Sequence, residues 1–190
     1  EGEDDPAVFA ALLHAAEDWL RGQGMQTVIG PFNLGINQEL GLRVVGFGSP
    51  PSIMMGLAPR YYAERLEEQG YSKEQELLAY NLTKEAFALP DKVRHLLLRQ
   101  RDKMRLRQVD RKQSAAELER MRDVFNDAWS NNWGFVPFTR EEFAAVGKEL
   151  FAIVPADFTW IAEVDGEAAA FIVLLPNVNE AIADLNGRLL

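Results

Sequence analysis

Apolar residues along the chain recur at two periods, and the alternation of these periods predicts its elements. Val8, Phe9, Leu12, Leu13, Ala16, Trp19 and Leu20 fall on one helical stripe. Asp5-Pro6 opens that helix as N-cap and first turn, and Gly22 and Gly24 close it. Thr27 to Gly30 reads as a short strand, Asn33 to Glu39 as irregular chain with room for one helical turn, and Leu42 to Phe47 as a short extended piece. Ser49-Pro50-Pro51 is a stiff loop. Pro59 opens a second helix through Tyr62 and Leu66, stopped at Gly70, and Glu76 to Leu82 reads as a strand. After the break at Leu89-Pro90-Asp91 a basic helix runs to about Lys103, and the alternation of Arg105 to Val109 suits a strand. Ser114 with Glu117 has the spacing of a capping box before a stripe of Leu118, Met121, Val124, Phe125, Ala128 and Trp129. Thr139 with Glu142 repeats that signal before Phe143, Val146 and Leu150. Trp160 to Val164 and Ala168 to Leu175 are strands, and Asp165-Gly166 between them favours a type I′ hairpin turn.

Composition narrows the class. The 190 residues are 47% hydrophobic, enough for a core, and contain no cysteine. That excludes a disulfide framework, a thiolate zinc site and a cysteine nucleophile. Two histidines, His14 and His95, are too few and too isolated for a histidine-built metal site. No apolar run is long enough to span a bilayer, and the acidic start EGEDDP is not a signal peptide. With no initiator methionine, the chain reads as a fragment or a processed form of a cytoplasmic protein. Net charge is −9, unevenly placed. Lys92 to Lys112 holds nine of the twenty basic residues against Asp102 and Asp110 alone. An acidic body with one basic stripe argues against broad nucleic-acid binding and leaves room for a local anion contact, such as a phosphate or a membrane headgroup.

Three stretches carry a resemblance. Thr27 to Tyr80 holds a strand ending in Gly30-Pro31-Phe32-Asn33, an Asn- and Gly-rich turn, a helix, a Gly70-Tyr71 stop and a second strand. Asn126 to Phe138 reads NDAWSNNWGFVPF, and Trp160 begins Trp-Ile-Ala-Glu-Val-Asp-Gly-Glu. Together these resemble a bacterial family of tandem GNAT-like N-acyltransferase proteins over nearly the whole chain. The resemblance implies an α+β fold of GNAT-like mixed sheets flanked by helices, cut into two partial domains. Residues 1–88 would be the C-terminal half of a first domain, 89–104 a basic helical linker, and 105–190 the N-terminal half of a second. The implied activity is transfer of an acyl group from acyl-CoA, the co-substrate of the parent protein, to a small-molecule amine. Some relatives are associated with bacterial sphingolipid N-acylation, which implies a donor longer than acetyl.

Members of that superfamily bind the acyl-CoA pyrophosphate on a Gly-rich turn at a helix N-terminus. Here the corresponding helix starts at Glu1-Gly2-Glu3-Asp4-Asp5-Pro6, whose four carboxylates oppose a pyrophosphate. In the second copy the turn would follow Leu190. The expectation is that no residue of this chain binds the cofactor and that none holds a metal. Aligned on Gly70-Tyr71, the position of the usual general-acid tyrosine is Leu66. Tyr62, one turn earlier on the same face, either points into the same groove or is a core tyrosine with a satisfied hydroxyl. Asn33, Asn37 and Glu39 either line a substrate groove, with Glu39 steering or deprotonating an amine, or serve turn chemistry. Trp129, Asn131, Asn132 and Trp133 either cradle an acyl chain or a headgroup, or close the core, with Asn131 or Asn132 capping the helix. Asn132 and Trp133 therefore join Asn33, Asn37, Glu39 and Tyr62 as candidate substrate-binding residues. The basic run is either a solvated face or a peripheral membrane contact through Lys92 to Lys112.

Overall fold

A computed structural model describes residues 2–83, 88–185 and 188. The chain is a mixed α+β protein. It divides into two compact units: Glu1–Ala79 with Asn177–Leu190, and Tyr80–Pro176.

In the first unit α1 spans Pro6–Gly22. Asp5 caps it as expected, its carboxylate accepting from the Ala7 N–H at 2.7 Å, and Gly24 leaves it at φ +81°. Its apolar stripe is only partly used: Phe9 is buried, whereas Leu12 and Trp19 are exposed. Two short strands follow, β1 Phe32–Asn33 and β2 Glu39–Leu40, paired antiparallel as Phe32 with Leu40 and Asn33 with Glu39. The stretch read as irregular is thus a small hairpin. α2 spans Tyr61–Glu68 and stops at Gly70, φ +87°. A short helix, α6, covers Val178–Ala181, and the Asn179 amide donates to the Pro51 carbonyl at 2.5 Å.

Two expectations fail here. Neither Thr27 to Gly30 nor Glu76 to Leu82 forms a strand, and neither segment joins a ladder. Their apolar composition satisfies strand propensity, but a strand needs a hydrogen-bonded neighbour, and Val28, Ile29, Leu77 and Leu78 stand exposed instead.

In the second unit α3 spans Asp91–Gln100, with a 3₁₀ turn at Arg101–Lys103. β3 Met104–Gln108, β4 Thr159–Val164 and β5 Glu167–Val173 make an antiparallel sheet in the order β3-β4-β5. The hairpin turn is the expected one, with Asp165 at φ +52° and Gly166 at φ +88°. The β4–β5 ladder slips between Ala162 and Glu163, which pair with Ala170 and Ala168, so Ala169 forms a bulge. α4 Ser114–Trp129 and α5 Arg140–Ile153 connect β3 to β4. They cover one sheet face, where Val109, Leu118, Met121 and Ile161 form the core. On alternating positions of the same strands, Leu106 is 65% and Ile172 52% exposed. One face of this sheet is covered and the other is open.

The Thr139–Glu142 capping box is present at the start of α5, with both of its reciprocal hydrogen bonds formed. The one expected at Ser114 is not. A 3₁₀ turn capped by the Asp110 carboxylate already starts that helix, and Glu117 turns inward.

Candidate functional site

The Asn33 to Glu39 hairpin brings two candidate residues together. Cross-strand pairing sets Asn33 opposite Glu39, and the Asn33 amide donates to the Glu39 carboxylate at 3.1 Å. Leu34 takes φ +73°, and the Gly41 N–H donates to the Pro31 carbonyl at 2.9 Å to close the loop. Asn37 sits half-buried in the turn between the two strands. This arrangement offers a carboxylate and an amide on one short hairpin.

Tyr62 is committed elsewhere. Its hydroxyl accepts from the Gly2 N–H at 2.9 Å, while the neighbouring Tyr61 hydroxyl donates to the Gly2 carbonyl at 2.9 Å. Both rings meet Phe9 edge-on, at centroid distances of 6.2 and 5.1 Å. Arg65 adds an ion pair to Asp4 at 2.9 Å and another to Glu68 at 2.7 Å. α2 therefore holds the segment before α1 by both backbone groups of Gly2. At that helix start, Asp5 takes the Ala7 N–H, Pro6 has none, and Glu3 and Asp4 add negative charge. Anion binding at a helix N-terminus needs open N–H groups and positive potential, and this one has little of either. Glu1, the fourth carboxylate of the sequence reading, lies outside the described residues.

A cleft of about 340 Å³ opens between α1 and the Gly70-Tyr71 stop, lined in part by Glu17, Arg21, Met25, Thr27 and Tyr71. The Tyr71 hydroxyl donates to Glu17 at 2.8 Å, and Arg21 pairs with Glu17 at 2.6 Å. The tyrosine bond, then Arg21, lowers the Glu17 pKa below its ordinary value, while burial and then the carboxylate raise that of Tyr71. The sequence reading passed over this group. The i, i+4 spacing of Glu17 and Arg21 was visible, but the third member lies 54 residues away.

In the second unit the NDAWSNNWGFVPF stretch is a clasped aromatic loop. The Asn126 side chain donates to the Phe138 carbonyl at 3.0 Å and accepts the Phe138 N–H at 2.9 Å, mimicking a strand neighbour. Phe125 stacks on Trp129 with centroids 5.6 Å apart, and Phe138 meets Phe143 edge-on at 5.3 Å. Asn132 serves the turn through its backbone, its N–H donating to Trp129 and its carbonyl accepting from Phe135. The expected asparagine cap is replaced by Ser130, whose hydroxyl donates to the Asp127 carbonyl at 2.8 Å. Trp129 is 49% and Trp133 39% exposed, so neither tryptophan is sealed in the core.

Two curated proteins match nearly the whole chain. It is 47% identical over 186 residues, 98% of its length, to Protein YghO of Escherichia coli K12. It is 48% identical over 189 residues, 99% of its length, to a protein named Bacterial ceramide synthase from Caulobacter vibrioides. The chain spans about half the length of these curated relatives, 48% and 49% respectively. No family model matches it. No solved structure matches it either.

The most enclosed charge is Glu117, which the sequence offers as a capping-box residue and which the fold uses in an ion-pair cluster. Arg107 on β3 donates to Glu163 on β4 at 2.5 Å and to Glu117 on α4 at 3.0 Å, and Arg120 reaches Glu117 at 3.1 Å. The Glu117 side chain is 4% exposed. Bonding to Arg107 holds the Glu163 pKa below the usual value, and bonding to Glu163 raises that of Arg107. Arg111 donates to the Phe151 and Val154 carbonyls, both at 2.7 Å, and lies 4.0 Å over the Phe151 ring. These two members of the basic run are thus structural. No described helix is long and apolar enough to cross a membrane.

Proposed function

We propose that the chain is part of a GNAT-like N-acyltransferase that moves an acyl group from acyl-CoA to an amine. The observation that carries this reading is the order of the second unit. A first strand, two helices and an antiparallel hairpin follow one another, with one sheet face covered by both helices. That is the order in which such a domain begins. The relative named as a ceramide synthase supports an amine-bearing lipid as the acceptor class. In the reaction the amine nitrogen attacks the thioester carbonyl, the C–S bond breaks, the thiolate leaves and takes up a proton, and an amide remains. Backbone N–H groups would hold the oxyanion of the tetrahedral intermediate. Asn33, Asn37 and Glu39 are the proposed amine-side groups of the first unit, whereas Tyr62, engaged with Gly2 and Phe9, would serve packing instead of meeting the amine. Asn132 and Trp133, on the aromatic loop, are proposed to contact the apolar part of a substrate. An acyl-CoA donor places the parent protein in the cytoplasm.

A second reading has its own support. The first GNAT-like copy would be a scaffold without cofactor, because the start of α1 is acidic and Gly2 is engaged by Tyr61 and Tyr62. An assay on the intact parent protein tests the enzyme reading. Incubated with long-chain acyl-CoA and a long-chain amine, it is expected to release CoA thiol in step with N-acyl amide detected by mass. No amide from folded parent protein would rule out the enzyme reading. In the same assay Glu39→Gln keeps the shape of the side chain and removes its charge. A fall in turnover of about two orders of magnitude with an unchanged melting temperature would give Glu39 a general-base role. Unchanged turnover would leave it as the cross-strand partner of Asn33.

A further inference from the structure

We propose that α3 is an amphipathic helix that seats on an anionic phospholipid surface. Every described residue from 88 to 99 is exposed. Among them Leu89 is 44%, Val93 40%, Leu96 57%, Leu97 44% and Leu98 58% exposed. A helix of ten residues is marginal in water, and most helices in proteins persist by burying an apolar face. Val93, Leu96 and Leu97 share one face by i, i+3, i+4 spacing, and Leu89 extends the line by four residues. Lys92 and Arg94 flank this stripe, and Arg99, Arg101 and Lys103 follow, all exposed. The Arg94–Asp91 pair, at 3.9 Å between exposed side chains, binds neither partner strongly.

The charge pattern selects the occupant. A second copy of the helix would set cations beside cations along the seam, which disfavours self-pairing. Lys92 to Lys112 contains no Phe, Tyr or Trp, and His95 alone offers a ring on which a nucleic-acid base could stack. An anionic bilayer answers both halves of the pattern. Its acyl region takes the Val93, Leu96 and Leu97 face, and its headgroups take the flanking lysine and arginines. Arg107 and Arg111, which the sequence places in the same basic run, are held by protein partners. The membrane contact is thereby narrowed to Leu89 through Lys103. This inference is independent of acyl transfer, since it uses no residue of the proposed reaction.

Vesicle flotation of the 190-residue chain tests it. The chain is expected to float with vesicles of phosphatidylcholine containing phosphatidylglycerol and not with phosphatidylcholine alone, and to detach as salt is raised. Arg94→Gln with Arg99→Gln should weaken partitioning about 25-fold, at about fivefold per cation. Leu96→Ser with Leu97→Ser should abolish flotation, with an unchanged thermal melt because these side chains are exposed. Equal flotation with neutral vesicles, or full flotation by either double variant, would overturn the proposal. So would failure to float accompanied by a leucine-dependent dimer in light scattering, or by binding of RNA to the basic face.

Discussion

The two units use similar sequence material to different ends. The second closes a three-stranded ladder and buries Val109, Leu118, Met121 and Ile161 beneath α4 and α5. The first has no ladder at Thr27 to Gly30 or at Glu76 to Ala79, and among its described residues Phe9 is the one buried apolar side chain. It is held instead by polar and aromatic contacts: Gly2 between two tyrosine hydroxyls, Arg65 on Asp4, Tyr71 on Glu17. Apolar composition alone does not make a core. Burial follows when strand pairing fixes which face of each strand a helix can cover.

The strongest way to break the contrast is to remove the buried charge that ties β3 to α4. Arg107→Met leaves Glu117 enclosed, with its ion pair to Arg120 remaining. Removing one member of a buried pair costs about 3 kcal/mol, at the lower end of the usual range because one partner stays. A denaturant melt of the second unit should record that loss, and an unchanged midpoint would refute the role of Arg107.

A smaller effect is expected at Gly147, which is buried against α4. A Cβ there would stand 2.3 Å from Leu118 Cδ2 and 3.0 Å from its Cδ1. Overpacking a close contact costs about 2 kcal/mol, whereas alanine in a helix gains about 1 kcal/mol over glycine. Gly147→Ala should therefore destabilise by about 1 kcal/mol, read as a lower melting temperature. Stabilisation would mean that Leu118 moves aside freely. At Gly22, where nothing stands within 4 Å of the added carbon, the same substitution should show no clash.

The smallest expected effect is on pH. The Glu163 pKa lies below its ordinary value of 4.5 in the folded chain, chiefly through its bond to Arg107. The folded state then holds fewer protons than the unfolded one across that interval. This contribution is present above pH 4.5 and is lost as pH falls through the lowered value. Acid titration of stability should show that loss in the native sequence and a shallower one in Arg107→Met. Parallel acid limbs would contradict the assignment.

What was legible in the sequence was local. Asp165-Gly166 gave the hairpin because turn geometry rests on two adjacent residues, and Thr139 with Glu142 gave the cap because both partners lie within one turn. The same string at Ser114 and Glu117 misled. Its glutamate is claimed by Arg107, whose approach depends on how β3 meets α4. Tyr62 is the same lesson in the site: its partner is 60 residues away, and nothing in the local sequence announces it. The strands expected near Thr27 and Glu76 had the right composition, but pairing is a property of two segments. The Asn33 to Glu39 hairpin lay at the edge of legibility, since its strands are only two residues each.

The first unit has a closed, acidic helix start, and acyl-CoA binding is proposed for the intact parent protein. Calorimetric titration tests this most directly, with acetyl-CoA and palmitoyl-CoA added in turn to the 190-residue chain and to the intact parent. The expected result is saturable binding by the parent and none of acetyl-CoA by this chain. Saturable one-to-one binding of acetyl-CoA by the chain at micromolar concentration would contradict it.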